Sequence, residues 1–337
     1  MEIAAFHRCL AVTDTSEAAA VRFAGRELAD AVGFDEEDSY RVGLVATELA
    51  TNLVKHAKRG EVLLRILDRD EKAAIELIAI DQAHGIGDVS GALADGYSTA
   101  GSPGTGLGAV RRLSEVFEIH STPGRGTIVL ARLGRHRRWR ESGGVLTFAG
   151  VSVPMHGEDV CGDRWAFASA ELQARVAVGD GLGHGQHAAD AATAAITALD
   201  PAPSRGIADD LRAMHEAARH TRGAAAAMAE IVPALGIVRF GGVGNVGAGI
   251  LAGDTIRHTV SHPGILGHHA AAMREYTYPW DEHCLLVMFS DGLISHWSLK
   301  DLPGIGQRHP AVIAAALYRD FSRRRDDVTV VVGRARR

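Results

Sequence analysis

The sequence predicts an α/β (α+β) chain of two domains, and three observations carry that expectation. Its 337 residues are enough for about two domains. Strand-length apolar runs alternate with longer stretches of helical periodicity along the whole chain. A basic, then glycine-rich stretch from Gly134 to Gly144 separates two halves with different motifs. A linker is therefore expected at 135–144, between domains at 1–134 and 145–335.

In the first half, Glu17–Ala31 and Asp38–Lys58 have helical periodicity. Glu61–Leu67 and Ala73–Ile80 alternate as strands around a charged turn. A long glycine-punctuated loop follows, then a helix at Arg111–Phe117 and a strand at Gly126–Leu133. In the second half, strands are expected at Val145–Val153, Arg164–Ala170 and Leu172–Val178. Helices follow at His187–Leu199 and Ala208–Met228. Further strands are expected at Ala234–Phe240, Gly247–Leu251, Asp254–Val260 and Leu285–Phe289. A helix at Ala311–Phe321 precedes a last strand at Val328–Gly333.

The totals exclude several classes. A net charge of −5 argues against a nucleic-acid binder that works by bulk charge. No apolar run reaches the ~18–20 residues that span a bilayer, so no membrane role is expected. Cys9, Cys161 and Cys284 are scattered and odd in number, with no metal spacing, which fits a cytoplasmic protein. The N-terminus has no basic start followed by an apolar core, so no signal peptide is expected.

The second half carries four Asp motifs: Cys161-Gly162-Asp163, Gly179-Asp180-Gly181, Ser290-Asp291-Gly292 and Asp326-Asp327. Each sits at the end of an expected strand. Carboxylates gathered there would repel unless cations lay between them. Oxygen ligands select Mg²⁺ or Mn²⁺, and two such ions would activate water and hold a phosphoryl group. In the first half, Glu48 and Asn52 are four apart on one helix face, which His56 continues. Asp81 ends a strand and is followed by Gly85 and Gly87. Gly104, Gly106 and Gly108 open a helix, where backbone amides bind phosphate.

Three strings of the first half resemble the GHKL (Bergerat-type) ATP-binding fold in its anti-sigma-factor kinase branch: TELATNLVKHA from Thr47, DQAHGIGD from Asp81, and DGYSTAGSPGTGLGAVRRLSEVFEI from Asp95. The resemblance implies an α/β sandwich that binds Mg·ATP. It makes Glu48 a general base, Asn52 a Mg²⁺ ligand, Asp81 the adenine contact and Gly104, Gly106 and Gly108 the phosphate-lid glycines. The family phosphorylates Ser or Thr of STAS-domain proteins. Its pattern after the adenine Asp is Gly-Pro-Gly, whereas here it is Ala83-His84-Gly85. A Cβ at 83 would crowd the nucleotide if that position had positive φ or touched the ligand.

The second half is similar to the SpoIIE-type branch of the metal-dependent PPM Ser/Thr phosphatases. The strings are CGDRWAF, VAVGDGLGHGQHAADAA, FGGVGNVGAGIL, LLVMFSDGLI and RDDVTVVV. An α-β-β-α sandwich is implied, with two Mn²⁺ or Mg²⁺ ions. Asp180 would bridge them, the Gly181 carbonyl would ligate one, Asp291 and Asp326 would bind on one side, and Asp163 would serve the second. Together the two resemblances imply a kinase-like and a phosphatase domain acting on STAS-domain proteins in a stressosome or partner-switching pathway. The alternative is a phosphatase whose first domain only binds a partner or senses ATP.

Overall fold

The structure is a computed structural model that describes residues 2–57, 59–67, 72–93, 106–141, 143–199, 206–270 and 272–336. In chain order it forms β1 (Glu2–Ile3), β2 (Arg8–Val12), α1 (Thr15–Ala31), α2 (Glu36–Asn52), β3 (Gly60–Leu67), β4 (Ala74–Asp81), α3 (Val89–Ala92), α4 (Gly106–Leu113), β5 (Val116–Thr122), β6 (Gly126–Gly134), β7 (Leu146–Val153), β8 (Asp163–Ser169) and β9 (Ala174–Gly181). There follow α5 (Gln186–Thr197), α6 (Ile207–Ala217), β10 (Ala224–Val232), β11 (Ile237–Val243), β12 (Gly247–Ala252), β13 (Thr255–His258), β14 (Gly264–Ile265), β15 (His269–Ala270), β16 (Tyr276–Pro279), β17 (Leu285–Phe289), α7 (Pro310–Phe321) and β18 (Val328–Ala335).

Two units interleave in sequence. His7–Glu141 and Asp301–Arg319 form one (the N-terminal unit); Met1–Phe6, Ser142–Lys300 and Asp320–Arg337 form the other (the C-terminal unit). Two unbroken domains at 1–134 and 145–335 do not allow for these exchanged segments. Their cause is local pairing: β1 adds to β8, and α7 packs within the N-terminal unit up to Arg319.

The N-terminal unit is built on an antiparallel sheet in the order β2-β3-β4-β6-β5. Asp14 caps α1 by accepting from the amides of Ser16 and Glu17, and Asp35 caps α2 by accepting from Asp38 N. Val21, Val42, Val45 and Leu49 of these helices bury against Leu64, Leu77 and Val129 of the sheet. The other face carries the buried side chains of Leu63, Ile78, Ile80, Ile128 and Leu130. On that face Glu76 lies directly opposite both Arg65 and Arg132, bonding each at 2.7 Å. Burial alone would raise the Glu76 carboxyl, but the two guanidiniums outweigh it and hold it well below the usual range. Helix α7 meets the same face. Tyr318 Oη donates to Glu61 at 3.3 Å, Gln82 Nε2 donates to the Arg319 carbonyl at 3.1 Å, and His309 N bonds Glu118 at 2.5 Å.

His309 also links to Glu141. Its Nδ1 accepts from Ala311 N at 3.0 Å, which leaves Nε2 to donate to Glu141 at 2.6 Å. Burial pushes the imidazole down, so it donates as the neutral ring. Burial also opposes the Glu141 charge, but the His309 hydrogen bond and Arg132 win and bring its carboxyl to about 2. A folded pKa below the unfolded value contributes stability above the unfolded value, and that contribution is lost as pH falls towards 2. Glu141→Gln is therefore expected to lower the melting temperature near neutral pH. The gap to wild type should close as the solution is acidified below the ordinary glutamate pKa of about 4.3. A gap that stays constant with pH would contradict this account.

The C-terminal unit stacks two sheets, β1-β8-β9-β10-β11-β16 and β13-β12-β17-β18-β7. Trp165, Val176, Val178, Ala227, Phe240, Leu286 and Met288 form a core shared by the two sheets. Small and apolar residues on the other face of the first sheet, Ala177, Ala226 and Met228, bury with Ile196 of α5 and Leu211 and Met214 of α6.

Three expected elements differ. Ala208–Met228 is not one helix: α6 stops at Ala217 and Ala224–Met228 is strand. Gly223 takes φ +84 between them. Tertiary pairing overrides the helix preference of alanine here, because this central strand lies between β9 and β11 with both faces buried. Arg111–Phe117 is likewise divided into the end of α4 and the start of β5, which pairs with β6. The helix expected to Lys58 leaves α-geometry at Asn52 and continues as a π-helical turn, Leu53–Ala57, so His56 is not in the simple α-register of Glu48 and Asn52.

Candidate active sites

The four Asp motifs converge at one end of the C-terminal unit. Asp163 opens β8 and lies directly opposite Asp180 on β9. Asp291 follows β17 and Asp326 precedes β18, two antiparallel neighbours. Asp163 is buried and its Oδ2 accepts from Ser290 Oγ at 2.7 Å. Among the described residues its Oδ1 is buried without a hydrogen-bond partner. Burial, with the charges of Asp327 and Asp291, pushes the Asp163 carboxyl up to about 7. Asp180 is held well above its ordinary value by burial and by Asp163, Asp291, Asp326 and Asp327. Asp291 is raised mainly by burial and by Asp326. Such a set is unfavourable as it stands and becomes favourable around cations. The orphaned Asp163 oxygen and the all-oxygen donor set fit hard divalent ions.

The neighbouring Asp326 and Asp327 have separate places. Asp327 Oδ1 accepts from Met155 N at 2.8 Å and its Oδ2 from Gly162 N at 2.9 Å. Both its oxygens are engaged in holding the 155–162 loop. Asp326 receives only Asp327 N, at 2.9 Å, among the hydrogen bonds of the described residues. Glycine is required around the centre. A Cβ on Gly181 would stand 1.9 Å from Ala188 O of α5, and one on Gly292 would stand 2.0 Å from Asp327 O. Ala188 is also the neighbour of Gly162, so the alanine-rich start of α5 lets the helix approach closely.

Sequence reasoning passed over Asn245, whose Nδ2 donates to Asp291 Oδ2 at 2.6 Å. It also passed over Glu158, whose Oε1 lies 2.6 Å from His184 Nδ1. Neither has a spacing signal, because each partner is tens of residues away. Among the described residues, three metal-ligand atoms lie within 4.8 Å of one another only at Asp35, Asp38 and His136. There Asp38 already receives His136 N at 2.6 Å and Arg41 at 2.9 Å, so that group reads as a braced turn. The four aspartates of the C-terminal unit form no such group among the described residues.

In the N-terminal unit, Glu48 and Asn52 sit on the last turns of α2, and α4 begins beside them. A Cβ on Gly106 would lie 2.7 Å from Glu48 Oε2 and 3.7 Å from the Asn52 amide oxygen. Among the described residues, Asn52 Nδ2 is buried without a partner. That leaves a buried polar atom open to a ligand. Gly108 is buried within α4. Asp81 ends β4 and accepts from Ala83 N at 2.8 Å; burial is the main cause that raises its carboxyl. Gly85 needs its φ of +73, and a Cβ there would meet Thr122 O at 2.5 Å. Gly87 has open space around it. Ala83 is not among the described residues with positive φ, so the departure from Gly-Pro-Gly strains no backbone. Gly126, passed over in the sequence, is held at φ +86 where a Cβ would stand 2.1 Å from Asp81 O. Gly104 and the rest of residues 94–105 lie outside the described residues.

Residues 11–133 match the histidine kinase-like ATPase domain family, and residues 171–336 match stage II sporulation protein E (SpoIIE). The serine/threonine-protein kinase RsbT of Bacillus subtilis (strain 168) is 35% identical over 124 residues, 36% of this chain and 92% of RsbT. A solved chain of the bacterial stressosome, described as a modular system adapted to control secondary messenger signaling, is 29% identical with a TM-score of 0.51. That match covers 56% of this chain and 99% of the other. RsbX, solved in complex with magnesium, is 20% identical over 58% of this chain and 98% of its own, with a TM-score of 0.49.

The family matches define a fusion of a histidine kinase-like ATPase domain with a SpoIIE-type domain. The chain belongs to the RsbT-like family of histidine kinase-like ATPases, extended here by a SpoIIE-type domain. No helix among the described residues is long and apolar enough to cross a membrane.

Proposed function

We propose that this chain sets the phosphorylation state of a STAS-domain protein, with its C-terminal unit removing phosphate from Ser or Thr and its N-terminal unit adding it from Mg·ATP. The observation that carries the phosphatase half is Asp163 opposite Asp180, with Asp291 and Asp326 close enough to raise the Asp180 carboxyl. Asp180 would serve both ions and the Gly181 carbonyl one of them, with Asp291 and Asp326 on one side and Asp163 on the other. When bound, two Mn²⁺ or Mg²⁺ ions would lower the pKa of water and offset phosphoryl charge. Ser290 fixes Asp163 and Asn245 fixes Asp291, so the carboxylates meet their load already oriented. Asp327 works as a buckle on the 155–162 loop.

In the N-terminal unit, Glu48 would draw the proton from the attacking Ser or Thr hydroxyl. Asn52 would take the Mg²⁺ of the nucleotide and Asp81 its adenine. Gly85, Gly87, Gly104, Gly106 and Gly108 would allow backbone to approach the nucleotide.

The test combines a STAS-domain protein encoded beside this chain with Mg²⁺, Mn²⁺ and γ-labelled ATP. Label is expected to accumulate on the STAS protein mainly with Asp180→Asn, and to disappear when Glu48→Ala is added. Absence of label throughout, with wild type still dephosphorylating a pre-phosphorylated STAS protein, would reduce the N-terminal unit to a binding module.

A further inference from the structure

We infer that Arg319, at the end of α7, is a positioning residue of the nucleotide site, holding Asp81 to the adenine through the Asp81-Gln82 turn. This rests on the reading of Asp81 as the adenine contact. Helix α7 is buried at every position from Pro310 to Arg319. The last of these is a guanidinium that is only 4% exposed. A cation placed so deep costs free energy unless it is engaged. Arg319 meets the turn after β4 at two points. Gln82 Nε2 donates to the Arg319 carbonyl at 3.1 Å, and Arg319 Nη1 donates to the Asp81 carbonyl at 3.4 Å. A second element confines the same turn: a Cβ on Gly126 would stand 2.1 Å from Asp81 O and 2.7 Å from Gln82 Cα. One residue before Arg319, Tyr318 Oη donates to Glu61 of β3 at 3.3 Å. Glu61 pairs with Ile80, the residue before Asp81. The end of α7 is thus stitched to the strand end that carries Asp81.

The chemistry requires such a group. An adenine contact has to accept a hydrogen bond from the exocyclic amino group. A carboxylate only accepts, whereas a protonated carboxyl presents a donor as well. Burial pushes the Asp81 carboxyl up, and the Ala83 and Thr127 amides, then the charges of Arg319 and His84, oppose it. The Arg319 guanidinium therefore favours the anion that the base requires. Its bond to the Asp81 carbonyl fixes the backbone from which that anion projects. Arg319 lies 238 residues from Asp81 in the chain, within the stretch that matches SpoIIE. Residues 11–133, which match the ATPase domain, thus do not hold every group of their nucleotide site, because one comes from α7.

The full chain is titrated by calorimetry with Mg·ATP and with Mg·purine riboside triphosphate, which lacks the exocyclic amino group. Wild type is expected to bind ATP more tightly. Arg319→Gln should weaken ATP by roughly tenfold and purine riboside triphosphate by less than about threefold, so that the preference shrinks. Arg319→Lys keeps the charge without the planar fork and should restore part of the preference. Gln82→Ala removes the other bond of the pair and should move the preference the same way by a smaller factor. It leaves α7 its cation, so it decides by the same ratio if Arg319→Gln fails to fold. Equal losses on the two nucleotides would mean a merely structural role and overturn the assignment, as would an unchanged preference. Asp81→Asn separates the underlying reading. A preference that Asp81→Asn abolishes and Arg319→Gln leaves intact ends this inference alone. Wild type that binds neither nucleotide, that shows no preference, or whose preference survives Asp81→Asn ends the adenine reading, and this inference with it.

Discussion

Asp180→Asn is expected to lower phosphopeptide hydrolysis on the order of 10³-fold and, without metal, to raise the melting temperature. The two effects share one cause. Asp180 is buried opposite Asp163 and near Asp291 and Asp326, and its charge is resisted by all of them. An amide at this position removes one repelling carboxylate, so the metal-free fold gains. It also removes the donor proposed to serve both ions. Mn²⁺ should then stabilise wild type strongly, because a ligand that binds only the folded state shifts the unfolding equilibrium. The variant should gain little. Melting curves with and without Mn²⁺ are thus expected to cross in order. Equal stabilisation of both proteins by Mn²⁺, or retained hydrolysis, would remove Asp180 from the centre.

A chain ending at Glu141 is expected to aggregate, although it contains every nucleotide motif. It lacks α7. The sheet face that carries Leu63, Ile78, Ile80, Ile128 and Leu130 is buried in the full chain, and the 301–319 segment bonds to its edge residues: Tyr318 to Glu61, His309 N to Glu118, and the Arg319 carbonyl to Gln82 beyond β4. Exposing a contiguous apolar face of this kind favours association. Residues 301–321 appended to the 1–141 chain through a flexible linker should restore a soluble monomer. Gel filtration of the two chains decides this. A soluble, monomeric 1–141 chain would mean that α7 is dispensable to the N-terminal unit.

Much of both candidate sites was legible before any coordinates. Asp163, Asp180, Asp291 and Asp326 each stand beside a glycine or a second Asp at the end of an apolar run, and strand ends are where polar groups emerge. Glu48 and Asn52 are legible because helical spacing places residues four apart on one face. Asn245 and Glu158 were not legible, since their partners Asp291 and His184 are 46 and 26 residues away. The division of labour between Asp326 and Asp327 was equally hidden: identical side chains differ only in which backbone amides reach them.

The sequence by itself determined the two α/β halves, their strand-end carboxylates and the glycines that admit close approach of backbone or helix, because these follow from periodicity, spacing and the missing Cβ. Tertiary structure alone decided that Ala224–Met228 is a strand, since only burial between β9 and β11 outweighs the helix preference of alanine. It alone placed α7 with the N-terminal unit. That placement depends on which apolar face lies uncovered, and an apolar helix carries no mark in its own residues of the face it will cover.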